Sequence, residues 1–273
     1  MRESKIRIPA VAGQFYPSKD KELKKQIASF TNWKQTQMEV VGCLLPHAGY
    51  IYSGMVVAEV ISRIIIKENV IILGPNHTGY GQVFSLMSEG KWQTPLGEIE
   101  INSALAKGLL NNSLHIKADN LAHLYEHSIE VELPFLQYKK SDFKIVPLVI
   151  GPADLKTYKE VGRTIALTIE ELKLKDSCLI VASSDMTHYE SEGDAKTKDA
   201  KAIEAILSLD EDRLWDNIHK FDISMCGYAP TIIMLVAAKI LGAKKASLIK
   251  YQTSGEVTRD YASVVGYAGI TVY

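Results

Sequence analysis

The chain has 273 residues, of which 47% are hydrophobic and 23% are charged, and this composition excludes a disordered chain. A chain of that length can bury a sizeable core in one large domain. Lys plus Arg number 31 against 32 Asp plus Glu, which excludes the strongly basic surface typical of proteins that bind nucleic acids or acidic membranes.

The chain start and the cysteines indicate where the protein works. The sequence MRESKIRIPAVAGQFYP has no uninterrupted apolar stretch of signal-peptide length, and no later segment approaches the ~20 apolar residues that cross a bilayer. Cys43, Cys178 and Cys226 are too few and too scattered for a disulfide framework. We therefore expect a cytoplasmic protein, with neither a membrane nor a nucleic acid as its partner.

Short apolar runs alternate along the chain with segments whose apolar residues recur at helical spacing. In chain order we predict a helix at Ser18–Phe30, a strand at Val40–Leu45, a helix at Gly54–Ile66, strands at Val70–Leu73 and Val83–Met87, a helix at Ser103–Leu110, a strand at Lys144–Ile150, a helix at Asp154–Leu172, a strand at Cys178–Ala182, helices at Asp194–Leu207 and Pro230–Leu241, and strands at Ala246–Tyr251 and Val264–Val272. Ser18 and Ser103 are predicted N-caps, and Pro230 suits a first helical turn. No linker or repeat interrupts the alternation, so the sequence predicts one α/β domain over residues 1–273.

Three of the seven histidines directly follow predicted strands: His47, His77 and His188. In open α/β sheets ligands bind outside the carboxyl ends of the strands, so these side chains should face one rim. Each histidine alone is better explained by a hydrogen bond to a loop carbonyl. Together they predict a shared metal site, because neutral imidazole is the commonest metal ligand.

Cys226 lies in a polar, glycine-containing loop that leads into a predicted helix. A helix N-terminus lowers the pKa of a thiol and favours the thiolate that binds metals. A free cysteine is more often a small buried apolar residue, and that interpretation fits Cys43 and Cys178, which lie inside predicted strands. For Cys226 we predict a metal ligand.

His123, Glu126 and His127 match the H-x-x-E-H pattern of inverted zinc peptidases. That chemistry requires both histidines on one helical face. The local pattern and Pro134 instead predict a helix that starts near His127 and leaves His123 in the preceding loop.

Two further residues are predicted to handle protons. His127 is a candidate acid or base, with a helix-capping role as the alternative. Asp185, three residues before His188, could orient a ligand imidazole or carry a proton, and a capping role is equally compatible with its position.

The motifs together resemble one family. They are AGQFYP at 12–17, PHAGY at 46–50, GPNH at 74–77, EHSIE at 126–130, SSDMTHY at 183–189 and CG at 226–227, and their order along nearly the whole chain resembles that of the Memo family. The resemblance implies a fold similar to the class III extradiol dioxygenases, which are non-haem iron enzymes: a single-domain αβα sandwich around a mostly buried, mixed central sheet. It also implies His47, His77 and Cys226 as metal ligands, with His188 close by and counted among the candidates.

The resemblance has one departure, which concerns the metal. The dioxygenases hold iron with two histidines and a carboxylate and leave positions open for substrate and oxygen. Here Cys226 stands where the carboxylate is expected. The resemblance to these iron enzymes makes iron (Fe²⁺) our first expectation. Copper and zinc are alternatives, because a thiolate is softer than a carboxylate.

Two functions fit these observations. The first is a metal-dependent redox protein, a dioxygenase-like enzyme in which His127, His188 and Asp185 move protons and Tyr50, Tyr189 and Tyr228 line a pocket for a small aromatic substrate. The second is a non-catalytic protein that keeps the cleft to bind a peptide or to handle iron or copper, because a fold does not fix a function.

Overall fold

A mixed β-sheet forms the centre of the computed structural model, which describes residues 6–273. The strands are β1 Ile6–Arg7, β2 Gly42–Leu45, β3 Asn69–Pro75, β4 Phe84–Leu86, β5 Lys91–Thr94, β6 Gly97–Glu100, β7 Lys117–Ala118, β8 Lys144–Ile150, β9 Cys178–Ser183, β10 His188–Glu190, β11 Ala246–Thr253 and β12 Val264–Val272. The α-helices are α1 Asp20–Ser29, α2 Tyr50–Arg63, α3 Ser103–Asn112, α4 Leu133–Lys139, α5 Leu155–Glu171, α6 Glu192–Leu207, α7 Glu211–Lys220, α8 Tyr228–Ile240 and α9 Gly255–Thr258.

Within the described residues, the large sheet has the strand order β10-β12-β2-β9-β3-β8-β4-β7, and β11 pairs with β12. Strands β2, β9, β3 and β8 are parallel, whereas β12 and β4 run antiparallel to β2 and β8. In the middle of the sheet, Ile71 of β3 pairs with Val146 of β8 and with Ile180 of β9. The carboxyl ends of β2, β9 and β3 therefore lie next to one another at one edge.

Helices cover both faces of the sheet. Helix α8 packs on β2, β3 and β9, and α5 packs against α8. Helix α2 contacts β2, β11 and β12 and packs against α4. Every residue of β2, β3 and β9 is buried, which explains why these strands read as continuous apolar runs. The predicted single-domain α/β sandwich around a mixed, mostly buried sheet is confirmed.

Each predicted strand and helix is present, with ends displaced by a few residues, but some predicted details are wrong. The residues before α1 and α3 are Lys19 and Asn102, so Ser18 and Ser103 are not the N-caps; the Asn102 side chain accepts a hydrogen bond from the backbone of Leu105. Helix α7 and a small sheet of β1, β5 and β6 were not predicted. The predicted domain bounds include residues 1–5, which lie outside the described residues. That part of the assignment stays a prediction.

The helix predicted to start near His127 begins later in the chain. A 3₁₀ turn covers Glu130–Glu132, and α4 follows with Pro134 in its first turn, where a backbone N–H is not needed. Over residues 6–273, no helix is both long enough and apolar enough to cross a membrane.

Candidate metal centre

The strand ends bring two predicted ligands together, and the loop before α8 adds the third. His47 follows β2, His77 follows β3, and Cys226 lies two residues before α8. His47 Nε2 is 3.3 Å from Cys226 Sγ, and one side-chain donor atom from each of the three residues lies within 4.8 Å of the others. Ligand atoms around one ion are roughly 3–4 Å apart when their bonds are about 2.0–2.3 Å long. Small side-chain rotations would therefore bring all three within bonding reach of one ion.

The surroundings of His47 favour a neutral imidazole with its proton on Nδ1 rather than on Nε2. The residue is 2% exposed, and burial holds its pKa well below the usual range. Its Nδ1 lies 2.7 Å from Ser183 Oγ, and the Ser183 hydroxyl donates to the Ser128 carbonyl at 2.6 Å. Because a hydroxyl has only one proton, Ser183 Oγ accepts from the His47 Nδ1–H. The Nε2 lone pair is then left to face Cys226.

Glu126 holds His77 in a similar way. One carboxylate oxygen lies 2.9 Å from His77 Nδ1, the other accepts from the His77 backbone N–H at 2.6 Å, and the amides of His127 and Ser128 donate at 2.9 Å each. Burial raises the pKa of Glu126, but the His77 side chain, the Ser128 amide and the nearby His127 outweigh it and lower the pKa to about 2. The charged carboxylate therefore accepts the Nδ1–H of His77 and leaves Nε2 available to a metal.

The prediction that the start of α8 lowers the pKa of the Cys226 thiol is wrong. Cys226 Sγ accepts from the Asp185 backbone N–H at 3.3 Å, but burial, followed by the charge of Asp185, raises the pKa of the thiol. Desolvation of the charged form outweighs the effect expected from the start of α8. A metal ion would therefore have to displace a proton from Sγ. Cys43 and Cys178 are buried in β2 and β9, as predicted for core residues.

His127 and His188 lie at the same site but outside the group of three donors. The His127 ring stacks on His77, with centroids 4.8 Å apart, and burial lowers the pKa of His127. His188 Nδ1 is 3.0 Å from the Ser224 carbonyl, which can only accept, so Nδ1 is the donor in this hydrogen bond. Their predicted roles in proton transfer, and that of His188 as a ligand, stay predictions.

Asp185 is placed behind His47. Its Oδ1 accepts the His47 backbone N–H at 2.9 Å, so the carboxylate fixes the loop rather than the imidazole. Burial raises the pKa of Asp185, although the charge of His188 and the amide hydrogen bonds of His47 and Ala48 oppose the shift. A carboxyl group with a raised pKa beside a cleft can exchange a proton near neutral pH.

A cleft of about 440 Å³ opens above these side chains. Its aromatic walls are formed by Phe15, Tyr52, Tyr189 and Tyr267. Of the tyrosines predicted to line it, only Tyr189 does so. Tyr50 is 1% exposed and donates to the Val131 carbonyl, and Tyr228 packs against Trp215.

The zinc-peptidase arrangement is absent from residues 121–139. His123 is fully buried in a 3₁₀ turn, and its Nε2 lies 3.0 Å from the Ser85 carbonyl. His127 belongs to neither that turn nor α4. The two histidines therefore do not share a helical face.

A buried ion pair ties the loop that carries Glu126 to the start of the described chain. Arg7 pairs with Glu130, and Arg7 also donates to the carbonyls of His123 at 2.9 Å and Glu126 at 2.6 Å. Glu130 in turn accepts from the Tyr16 hydroxyl at 2.5 Å. Glu126 was singled out from the sequence only as part of the H-x-x-E-H and EHSIE motifs. Neither its contact with His77 nor the network around Arg7 was predicted.

Fold and site together define an α/β sandwich protein with a histidine-lined cleft at the carboxyl edge of its parallel strands and a cysteine beside one of those histidines. The chain matches the family described as Memo-like protein over residues 7–271. It therefore belongs to the Memo family.

Relatives agree with this assignment. A MEMO1 family protein of Methanosarcina mazei is 45% identical over 269 residues, covering 98% of this chain and 99% of the relative. One from Aquifex aeolicus is 41% identical over 268 residues, covering 97% and 98%. A crystal structure of an uncharacterized protein from Escherichia coli K12 matches with a TM-score of 0.60 at 15% identity, covering 84% of this chain and 98% of that one. This last likeness shows a shared fold.

Proposed function

We propose that this protein binds one transition-metal ion through His47, His77 and Cys226, with iron(II) as the first candidate. We further propose that this centre carries out redox chemistry on a small ligand in the cleft. The observation that carries the proposal is the approach of one donor atom from each residue to within 4.8 Å of the others. Iron held by two imidazoles and a thiolate supplies electron transfer and open coordination positions.

The hydrogen bonds around the donors support this set of ligands. Ser183 and Glu126 already engage Nδ1 of His47 and His77, so both histidines offer Nε2, and such outer partners are typical of metal-binding histidines. The Glu126 carboxylate suits a metal less well, because its oxygens already accept four N–H groups. Cys226 is therefore the better third ligand.

The cleft supplies the remaining parts of the proposal. A small aromatic ligand would pack against the rings of Tyr52, Tyr189 and Tyr267. His127 and His188 would then take or give protons at its polar groups. A positioned acid or base contributes typically 10²–10⁴-fold to a rate. Loss of either ring should thus reduce turnover much more than metal content.

Metal titration tests the ligand set. Co²⁺ serves as the probe, because a cobalt–thiolate bond gives a charge-transfer band. We expect one Co²⁺ per chain with that band in the wild type, and loss of the band with at least 100-fold weaker binding in Cys226→Ser. Cys178→Ala, which removes a buried thiol at the far end of β9, is the control and should bind normally. Unchanged binding by Cys226→Ser would refute the ligand set.

The thiol favours a second candidate, a metal-handling protein without turnover, because thiolate also suits copper(I) and zinc. Oxygen consumption separates the two functions. Iron-loaded protein, prepared without oxygen, should consume oxygen only after a substrate from a panel of phenols and catechols is added. Tight metal binding with no turnover across that panel would favour metal handling and exclude the redox function for this ligand class.

A further inference from the structure

The carboxyl group of Glu132 is buried next to the candidate metal centre but is neither a proposed ligand nor a proposed acid or base. Glu132 ends the 3₁₀ turn before α4 and is fully buried. Its Oε1 lies 3.1 Å from Ser183 Oγ. Its Oε2 has no hydrogen-bond partner among residues 6–273.

The surroundings of Glu132 disfavour a charged carboxylate. Cys43 of β2, Tyr50 of α2 and Asp185 after β9 interact with it electrostatically, and none of them carries a positive charge. Burial, with a further contribution from Asp185, raises the pKa of Glu132 well above its usual range. A buried carboxyl without a cationic partner is most stable as the neutral acid.

A count of protons around Ser183 leads to the same form. Ser183 Oγ has three neighbours: the Ser128 carbonyl at 2.6 Å, His47 Nδ1 at 2.7 Å and Glu132 Oε1 at 3.1 Å. The carbonyl can only accept, so the single hydroxyl proton belongs there. All three contacts are then satisfied only if His47 and Glu132 both donate to Oγ.

We propose that Glu132 is a positioning residue: as a neutral carboxylic acid it donates to Ser183 and holds the hydroxyl in the one orientation that keeps His47 in its Nδ1–H form, with Nε2 presented to the metal. The part that concerns metal binding rests on the proposed function. The hydrogen-bond arrangement itself can be tested without metal.

Two substitutions separate the donor role from a role of charge. Glu132→Gln keeps a group that can donate to Ser183, so Co²⁺ affinity should stay within about threefold of the wild type. Glu132→Leu keeps the volume but removes the donor, and Co²⁺ affinity should fall about 10-fold, within the 10–100-fold typical of outer partners of ligand histidines. If the glutamine variant binds as weakly as the leucine variant, Glu132 acts as an anion and the inference is wrong.

Stability gives a readout that a purely structural role would not produce. Glu132→Leu removes a buried carboxyl with an unpartnered oxygen, so the metal-free variant should melt at a higher temperature while binding metal less tightly. Thr271→Val is the matched control. It removes another buried oxygen without a partner among the described residues and should raise stability without changing Co²⁺ affinity. Lower stability together with normal affinity in Glu132→Leu would overturn the inference.

Nitrogen-15 spectra of histidine-labelled, metal-free protein test the arrangement independently. His47 should carry its proton on Nδ1 in the wild type and in Glu132→Gln, and Ser183→Ala should mix the two tautomers. A wild-type Nε2–H tautomer would refute the inference whether or not metal binds. If the wild type binds no Co²⁺, the proposed metal centre fails and the spectra still decide the arrangement of Glu132, Ser183 and His47.

Discussion

Replacement of Glu126 by glutamine should destabilise the metal-free protein by about 3 kcal/mol at pH 7. The new NH₂ group would face a backbone or side-chain N–H, and a buried donor left without an acceptor costs about 1–3 kcal/mol. The remaining donors would lose charge-assisted bonds, which are about twice as strong as neutral ones. The pKa of Glu126 gives a similar figure, since a fall from 4.5 to about 2 corresponds to about 3 kcal/mol.

The sign of the pH dependence follows from that lowered pKa. Because the folded pKa of Glu126 lies below the unfolded value, its contribution is complete above about pH 5 and is lost as the pH falls towards 2. Urea unfolding of both proteins at pH 7 and pH 3 should show the stability gap shrinking by about 2 kcal/mol at the lower pH. Co²⁺ affinity of the variant should also fall 10–100-fold.

Glu68→Gln is the matched control for that experiment. Glu68 is exposed, so its replacement should change stability by less than about 0.5 kcal/mol at either pH. A gap between wild type and Glu126→Gln that is equal at pH 7 and pH 3 would refute the reasoning, because the lost interaction would then not depend on the carboxylate charge.

Three further perturbations test other parts of the structure. Gly227→Ala should cost about 3 kcal/mol in urea unfolding and weaken metal binding, since the new Cβ would lie 2.2 Å from a backbone oxygen of β9, whereas Gly193→Ala meets open space and should be tolerated. Arg7→Met should lower the free energy of unfolding in urea by about 3–5 kcal/mol, because Glu130 would be left charged and buried. An equal loss in a variant that lacks the charges of both Arg7 and Glu130 would contradict this explanation. Burial lowers the pKa of His123 to about 4, so the unfolded state takes up its proton at a higher pH than the folded state does. The free energy of unfolding should therefore fall as the pH drops from about 6.5 to 4, and replacement of His123 by glutamine should remove this fall.

Much of the fold could be predicted because its central strands are buried on both faces. The apolar runs that end near His47 and His77 are short and continuous, which is typical of parallel strands, and parallel strands place their carboxyl ends at one edge. Helix α7 was missed although Asp210 caps it, because its sequence EDRLWDNIHK is mostly polar. The short strands β1, β5 and β6 have too few apolar residues to give a periodic signal.

The groups that hold the candidate ligands could not be predicted in the same way. Glu126 contacts His77 across 49 residues of sequence, and Ser183 contacts His47 across 136, so no local spacing encodes either pair. The pKa of Cys226 was predicted in the wrong direction for a related reason. Position before a helix can be read from the sequence, whereas the extent of desolvation depends on residues from distant segments.

The link between Arg7 and the loop of Glu126 has a practical consequence for anyone who shortens or tags this protein. Arg7 contributes no atom to the cleft, yet it donates to the carbonyl of the residue that holds His77. A truncation that removed Arg7 would leave every predicted ligand in the chain and still loosen one of them. Expression designs should therefore keep this arginine and place any fusion well ahead of it.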